Sequence, residues 1–117
     1  MSREFFATVT VRDFDPLAGY EIVDCVGEWL SKSEAQTSDT KGQYLIVRGF
    51  ISIGGGRSEA SVKQQIADGV WVANLGPCEI QIGFVYIEDP ENTTFSPSDY
   101  AKSDAVEIVA QKKADLV

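Results

Sequence analysis

The chain has 117 residues and carries 18 acidic against 10 basic side chains, a formal net charge of −8. That length is one domain, residues 1–117, and 44% hydrophobic residues, with two Trp, four Tyr and six Phe, fill a core and exclude a largely disordered chain. Histidine is absent, which removes Ser-His and Cys-His catalysis, imidazole general bases and His-based metal sites.

Residues 4–12 alternate, with Phe5, Ala7, Val9 and Val11 on one side and Phe6, Thr8, Thr10 and Arg12 on the other. That period predicts a half-buried strand. Asp15-Pro16 reads as a helix cap followed by proline at the first helical position. Ile22, Val26, Trp29 and Leu30 then form one stripe of an amphipathic helix. The β-branched content and Gly27 keep a strand over 20–26 open as the alternative. Residues 31–42 hold almost no apolar side chain and are expected to be a long loop.

Residues 44–53 are apolar and rich in β-branched residues, the pattern of a central strand. Gly54-Gly55-Gly56 stops it. Ser58 or Ser61 caps the next helix, with Ser61 to Gln64 matching a capping box. Val62, Ile66, Gly69 and Val70 share its inner face. Gly69 is expected to end that helix, with 70–73 turning to strand. Gly76-Pro77 marks a turn. Residues 78–88 alternate most cleanly: Cys78, Ile80, Ile82, Phe84 and Tyr86 on one face, Glu79, Gln81, Gly83, Val85 and Ile87 on the other. Residues 90–95 read as a loop. Ser96-Pro97-Ser98-Asp99 starts a last helix, with Ala101, Ala105, Ile108 and Val109 inward and Lys112 and Lys113 at its C-terminal end.

This order predicts an α+β fold: a single small domain with a three- to four-stranded sheet packed with about three helices. Apolar residues on both faces of the strands at 44–53 and 78–88 predict helices on both sides of the sheet. No stretch approaches the roughly 20 apolar residues of a membrane span, and the first residues lack the apolar core of a signal peptide. The expected location is cytoplasmic, with no membrane partner.

Chemistry-bearing candidates are few. The triple glycine lacks the Gly-Lys-Ser/Thr ending of a P-loop and the spacing of a dinucleotide fingerprint, so it reads as a turn. Cys25 and Cys78 lie in no metal or redox spacing and read as inert core thiols. Tyr20, Trp29, Trp71, Phe84 and Tyr86 fit core packing before a ligand pocket. No residue is assigned a catalytic, cofactor or metal role, and no cofactor is expected. The net charge opposes direct nucleic-acid binding.

The charge pattern is more specific. From Asp13 to Glu28 there are five acids and no base, and from Glu88 to Glu107 six acids and one lysine. Each block is net −5, so the rest of the chain sums to +2. Both blocks sit at loops leading into helices. The plain reading is solubility. The sharper one is an acidic face for a basic partner, built from Asp13, Asp15, Glu88, Asp89, Glu91, Asp99 and Asp104.

In type, the chain resembles the small acidic inhibitor proteins of phages and mobile elements, the anti-CRISPR proteins among them. The literal match is the tail Lys113-Ala114-Asp115-Leu116-Val117, which looks like the ending of a type I anti-CRISPR. The resemblance implies a non-enzymatic inhibitor in the host cytoplasm that occupies a basic, nucleic-acid-binding surface of a larger protein, some members acting as DNA mimics. The alternatives are a small ligand-binding or enzymatic α+β domain and a self-associating virion accessory protein.

Overall fold

The computed structural model describes residues 3–37, 44–85 and 91–115. Strands β1 (Arg3–Arg12), β2 (Ser31–Thr37), β3 (Tyr44–Ile53), β4 (Glu79–Val85) and β5 (Glu91–Phe95) form one antiparallel sheet in the order β2-β3-β1-β4-β5. Helix α1 (Gly19–Gly27), entered through a 3-10 turn at Pro16–Ala18, lies between β1 and β2 in the chain, and α2 (Glu59–Asn74) between β3 and β4. Short α3 (Pro97–Tyr100) and α4 (Ala105–Asp115) follow β5. β3 separates β1 from β2, and β1 separates β3 from β4, the split β-α-β topology. Among these residues no helix is long and apolar enough to cross a membrane.

The alternation of β1 decides which face is covered. Phe5, Ala7, Val9 and Val11 are buried, as are Leu45, Val47, Ile51 and Ile53 on β3 and Ile80, Ile82 and Phe84 on β4. The opposite face keeps Phe6, Tyr44, Phe50 and Val85 exposed. The expectation of helices on both sides is therefore corrected. α1, α2 and α4 bury Ile22, Val26, Val62, Ile66, Val70, Ala105 and Val109 with the first face alone. The second face stays uncovered by helices, as in one-sided antiparallel sheets.

Five strands are present because two stretches read as loops pair as edges. β2 lies in 31–42 and is exposed along its whole length. Its hold is the backbone ladder to β3, with a bulge between Ser31 and Glu34 and Lys32 at φ 53°. Gly49 makes room for the bulge: a Cβ there would stand 2.9 Å from both the Leu30 Cβ and the Ser31 carbonyl oxygen. β5 pairs with β4 from Ile80↔Phe95 to Phe84↔Glu91. The end of the strand expected over 78–88, including Tyr86, lies outside the described residues.

Gly69 does not end α2. The helix runs on to Asn74 and stops where Leu75 turns left-handed at φ 58°, the Gly76 N–H returning to the Trp71 carbonyl at 3.2 Å. Its N-cap is Ser58, whose Oγ accepts the Ser61 N–H at 3.0 Å. The last predicted helix is broken in two. The Ser103 Oγ donates to the Tyr100 carbonyl at 2.7 Å and helps close a turn between α3 and α4. In consequence Ala101 is exposed, and Ile108 is 47% exposed rather than inward. At the core centre, fully buried Trp71 donates Nε1–H to the Cys78 carbonyl at 2.9 Å. The rings of Phe95 and Tyr100 meet it edge-on.

Candidate functional site: an acidic groove between the helices

The first acidic block folds into the start of the helical layer. Asp15 is the N-cap of the 3-10 turn, its Oδ1 accepting the Leu17 N–H at 2.9 Å. Its own N–H is donated to the Asn74 Oδ1 at 2.7 Å, tying the entry of α1 to the end of α2. Asn74, 8% exposed, donates in turn to the carbonyls of Gly76 and Pro77. Ile22 and Val26 turn inward, leaving Glu21, Asp24 and Glu28 on an outward stripe at i, i+3 and i+7.

That stripe borders a groove of about 950 Å³ between α1, α2 and α4. Six carboxylates line it, from Asp15, Glu21, Asp24, Glu28, Asp68 and Asp115, against the single cation of Lys112. Between them lie Leu17, Ala18, Val72, Ala73, Leu75 and Ile108. Leu17 is 88% exposed at the edge of this groove. The surface pairs negative charge with apolar area. No group of three or more Cys, Asp or Glu side chains among the described residues is arranged to hold a metal ion.

A second, more polar hollow of about 450 Å³ lies under the turn between α3 and α4 and contains Asp68, Asp99, Lys102 and Asp104. Asp68 lines both hollows and so joins the two acidic regions. Partial burial raises its pKa, and repulsion from Asp104 adds to the rise, while a hydrogen bond from the Gln64 side chain opposes it. Asp99 is engaged in the capping box of α3, where the Ser96 N–H donates to Oδ2 at 2.8 Å. That bond, with the Ser96 hydroxyl, holds its carboxyl below the usual range.

The residues expected to form one acidic face divide accordingly. Asp15 lines the groove; Asp13, at φ 58° just past β1, does not. Asp99 and Asp104 line the adjoining hollow. Glu91 lies in β5 with its backbone opposite Phe84, and Glu88 and Asp89 fall outside the described residues. Sequence reasoning counted Glu21, Asp24 and Glu28 in the first acidic block without naming them for the face, and it missed Asp68 and Asp115, which belong to neither block, and the apolar floor. The i, i+3, i+7 spacing of Glu21, Asp24 and Glu28 was the signal for the rest.

Cys78 is a buried core thiol, whereas Cys25, expected in the core, is only partly buried and lines the groove. Both cysteines are free. Burial raises the Cys25 pKa, with Glu28 adding to the effect and Lys112 opposing it. Burial, with a smaller contribution from the Asp13 carboxylate, pushes the Cys78 thiol up to about 12. A thiol raised in this way is a poor nucleophile at neutral pH. The triple glycine is an exposed turn closed by the Arg57 N–H on the Gly54 carbonyl at 3.2 Å. Tyr20 is 77% exposed and far from sharing a pocket with buried Trp71. No protein-family model, curated protein or solved structure matches the chain.

Proposed function

We propose that the chain is a non-enzymatic interaction protein of the small acidic inhibitor type, anti-CRISPR-like in mode, whose groove receives a basic segment of a larger protein. The observation that carries this reading is the groove's make-up: six carboxylates and one lysine around an apolar floor. A segment with lysine or arginine flanking one or two apolar side chains fits both features. The apolar anchor gains affinity by leaving water against Leu17 and Ile108. The carboxylates steer encounter and fix orientation. A basic surface evolved for nucleic acid meets negative charge here instead, so occupancy competes with the nucleic acid.

The test is retention of a partner from host-cell lysate at low and high salt, followed by reconstitution with the purified partner. The wild-type chain is expected to hold a partner with a basic surface, to release it at high salt, and to displace its nucleic acid. Combined Glu21→Lys, Asp24→Lys and Glu28→Lys is expected to abolish both effects with an unchanged melting temperature, since exposed charges add little to folding. Undiminished binding by that triple variant would sink the reading.

A further inference from the structure

The sheet face turned away from the helices is bare, and its chemistry differs from the rest of the molecule. The strand register sets Phe50, Phe6 and Val85 in one row across β3, β1 and β4. They are 38%, 39% and 37% exposed, and the Phe6 and Phe50 rings meet edge to face at 5.5 Å. Tyr44, 38% exposed, stands at the other end of β3. Charges on this face come in facing pairs: Arg12 lies opposite Glu79, and Arg48 opposite Glu34. Glu4 adds one acid and Lys32 sits in the β2 bulge, so the described charges leave the face close to neutral in a chain of net charge −8.

We propose that this face is the contact between two copies of the chain, packed sheet on sheet about a twofold axis with Phe6 and Phe50 at its centre. Two acidic molecules repel wherever their net charge meets, and on this face the described charges nearly cancel. Its two arginines and three acids are interspersed, so a twofold copy can set opposite charges against each other. The five strands, 10, 7, 10, 7 and 5 residues long and about 4.8 Å apart, span roughly 600 Å², the low end of what each partner gives to a specific interface. Edge-to-edge pairing is disfavoured at β2, where the bulge and Lys32 interrupt a flat ladder. In such a dimer both helical layers face outward. If the groove binds as proposed above, the dimer presents two grooves and gains avidity for a repeated partner; the dimer itself does not rest on that reading.

Sedimentation equilibrium of the full chain up to about 100 µM tests this. The expected result is an equilibrium between the 12.8 kDa chain and a species of twice that mass. Association should tighten as salt rises from about 0.05 to about 0.5 M, because screening removes self-repulsion; groove binding responds in the opposite sense. Phe50→Thr with Val85→Thr, both at partly exposed strand positions, should weaken the dimer roughly tenfold or more. An unchanged far-ultraviolet circular dichroism melt would show that the variant is folded, and Phe50→Thr alone gives a milder second reading. Leu17→Ser, on the helical side, should leave the dimer intact. A monomer at every concentration and salt overturns the proposal, as does a dimer indifferent to the sheet-face changes. Retention of single-stranded nucleic acid by a monomeric chain, lost in the same variants, also overturns it.

Discussion

Gly69 of α2 lies directly against Cys25 of α1: a Cβ built at Gly69 would stand 2.7 Å from the Cys25 Sγ. A glycine inside a helix costs about 1 kcal/mol relative to alanine. Here it lets the two helices that wall the groove approach closely. Gly69→Ala is therefore expected to destabilise by about 1–3 kcal/mol through overpacking, despite the better helix former. In a Cys25→Ala background the obstructing sulfur is gone, and the same substitution should be neutral or stabilising by up to about 1 kcal/mol. Denaturant melts of the four species give the coupling. Additive effects would show that the contact does not set the helix spacing.

Asn74 offers a second structural test. It accepts the Asp15 N–H at 2.7 Å and donates toward the Gly76 and Pro77 carbonyls, so one buried amide joins the α1 entry, the α2 cap and the approach to β4. Asn74→Ala leaves a part-buried backbone donor and two carbonyls to find other partners. The expected loss is about 1–3 kcal/mol. Hydrogen exchange should quicken at Asp15 more than at β1 amides. A change below about 0.5 kcal/mol would be typical of a surface position and would contradict the hub role.

These contacts mark the boundary of what sequence patterns carry. β1, β3 and β4 announce themselves because each turns one face to the core, and period-two burial leaves period-two sequence. β2 has no buried side chain to leave such a trace; backbone pairing with β3 holds it, and a polar edge reads as a loop. Gly69 reads as a helix stop because the sequence cannot show Cys25 across the crossing. The acid stripe of α1 was legible as charge, but Asp68 and Asp115 reach the groove from other helices. Ile108 fits the inward period of one long helix, and the turn at Ser103 instead leaves it at the groove.

The thiols give a pH-dependent prediction. Burial lifts the Cys78 thiol to about 12 in the folded chain, from 9.0 in an open one. The folded state therefore holds its proton more tightly. The associated stability is complete below about pH 9 and is lost as pH rises toward 12. Cys78→Ala should lower stability at neutral pH through lost packing and flatten the alkaline decline. A thiol reagent at pH 8 should label Cys78 only at the rate of unfolding. Rapid stoichiometric labelling of native protein would show the site to be open.

Asp68 lets the proposed binding be weighed against stability. Its pKa is raised first by burial and also by Asp104, against the Gln64 hydrogen bond, so ionising it costs more in the folded state than in the open chain. For a raised acid the sign is definite: the charge destabilises above the folded pKa, and the penalty vanishes once pH falls below 3.8, where both states are protonated. Asp68→Asn removes the charge and keeps a side chain able to meet Gln64, whose Nε2 now donates to Asp68 Oδ1 at 2.9 Å. It should raise the melting temperature at pH 7 by a few degrees at most, since the group is largely solvated. That advantage should shrink to nothing near pH 3.5, which calorimetry at two pH values can check. The same change removes the one carboxylate that lines both hollows, so affinity for a basic partner should fall several-fold and its salt dependence should lessen. A residue kept at a cost to folding because binding uses it gives opposite signs in the two measurements. Equal signs, or a stability gain that persists at acid pH, would show that Asp68 is an ordinary surface acid.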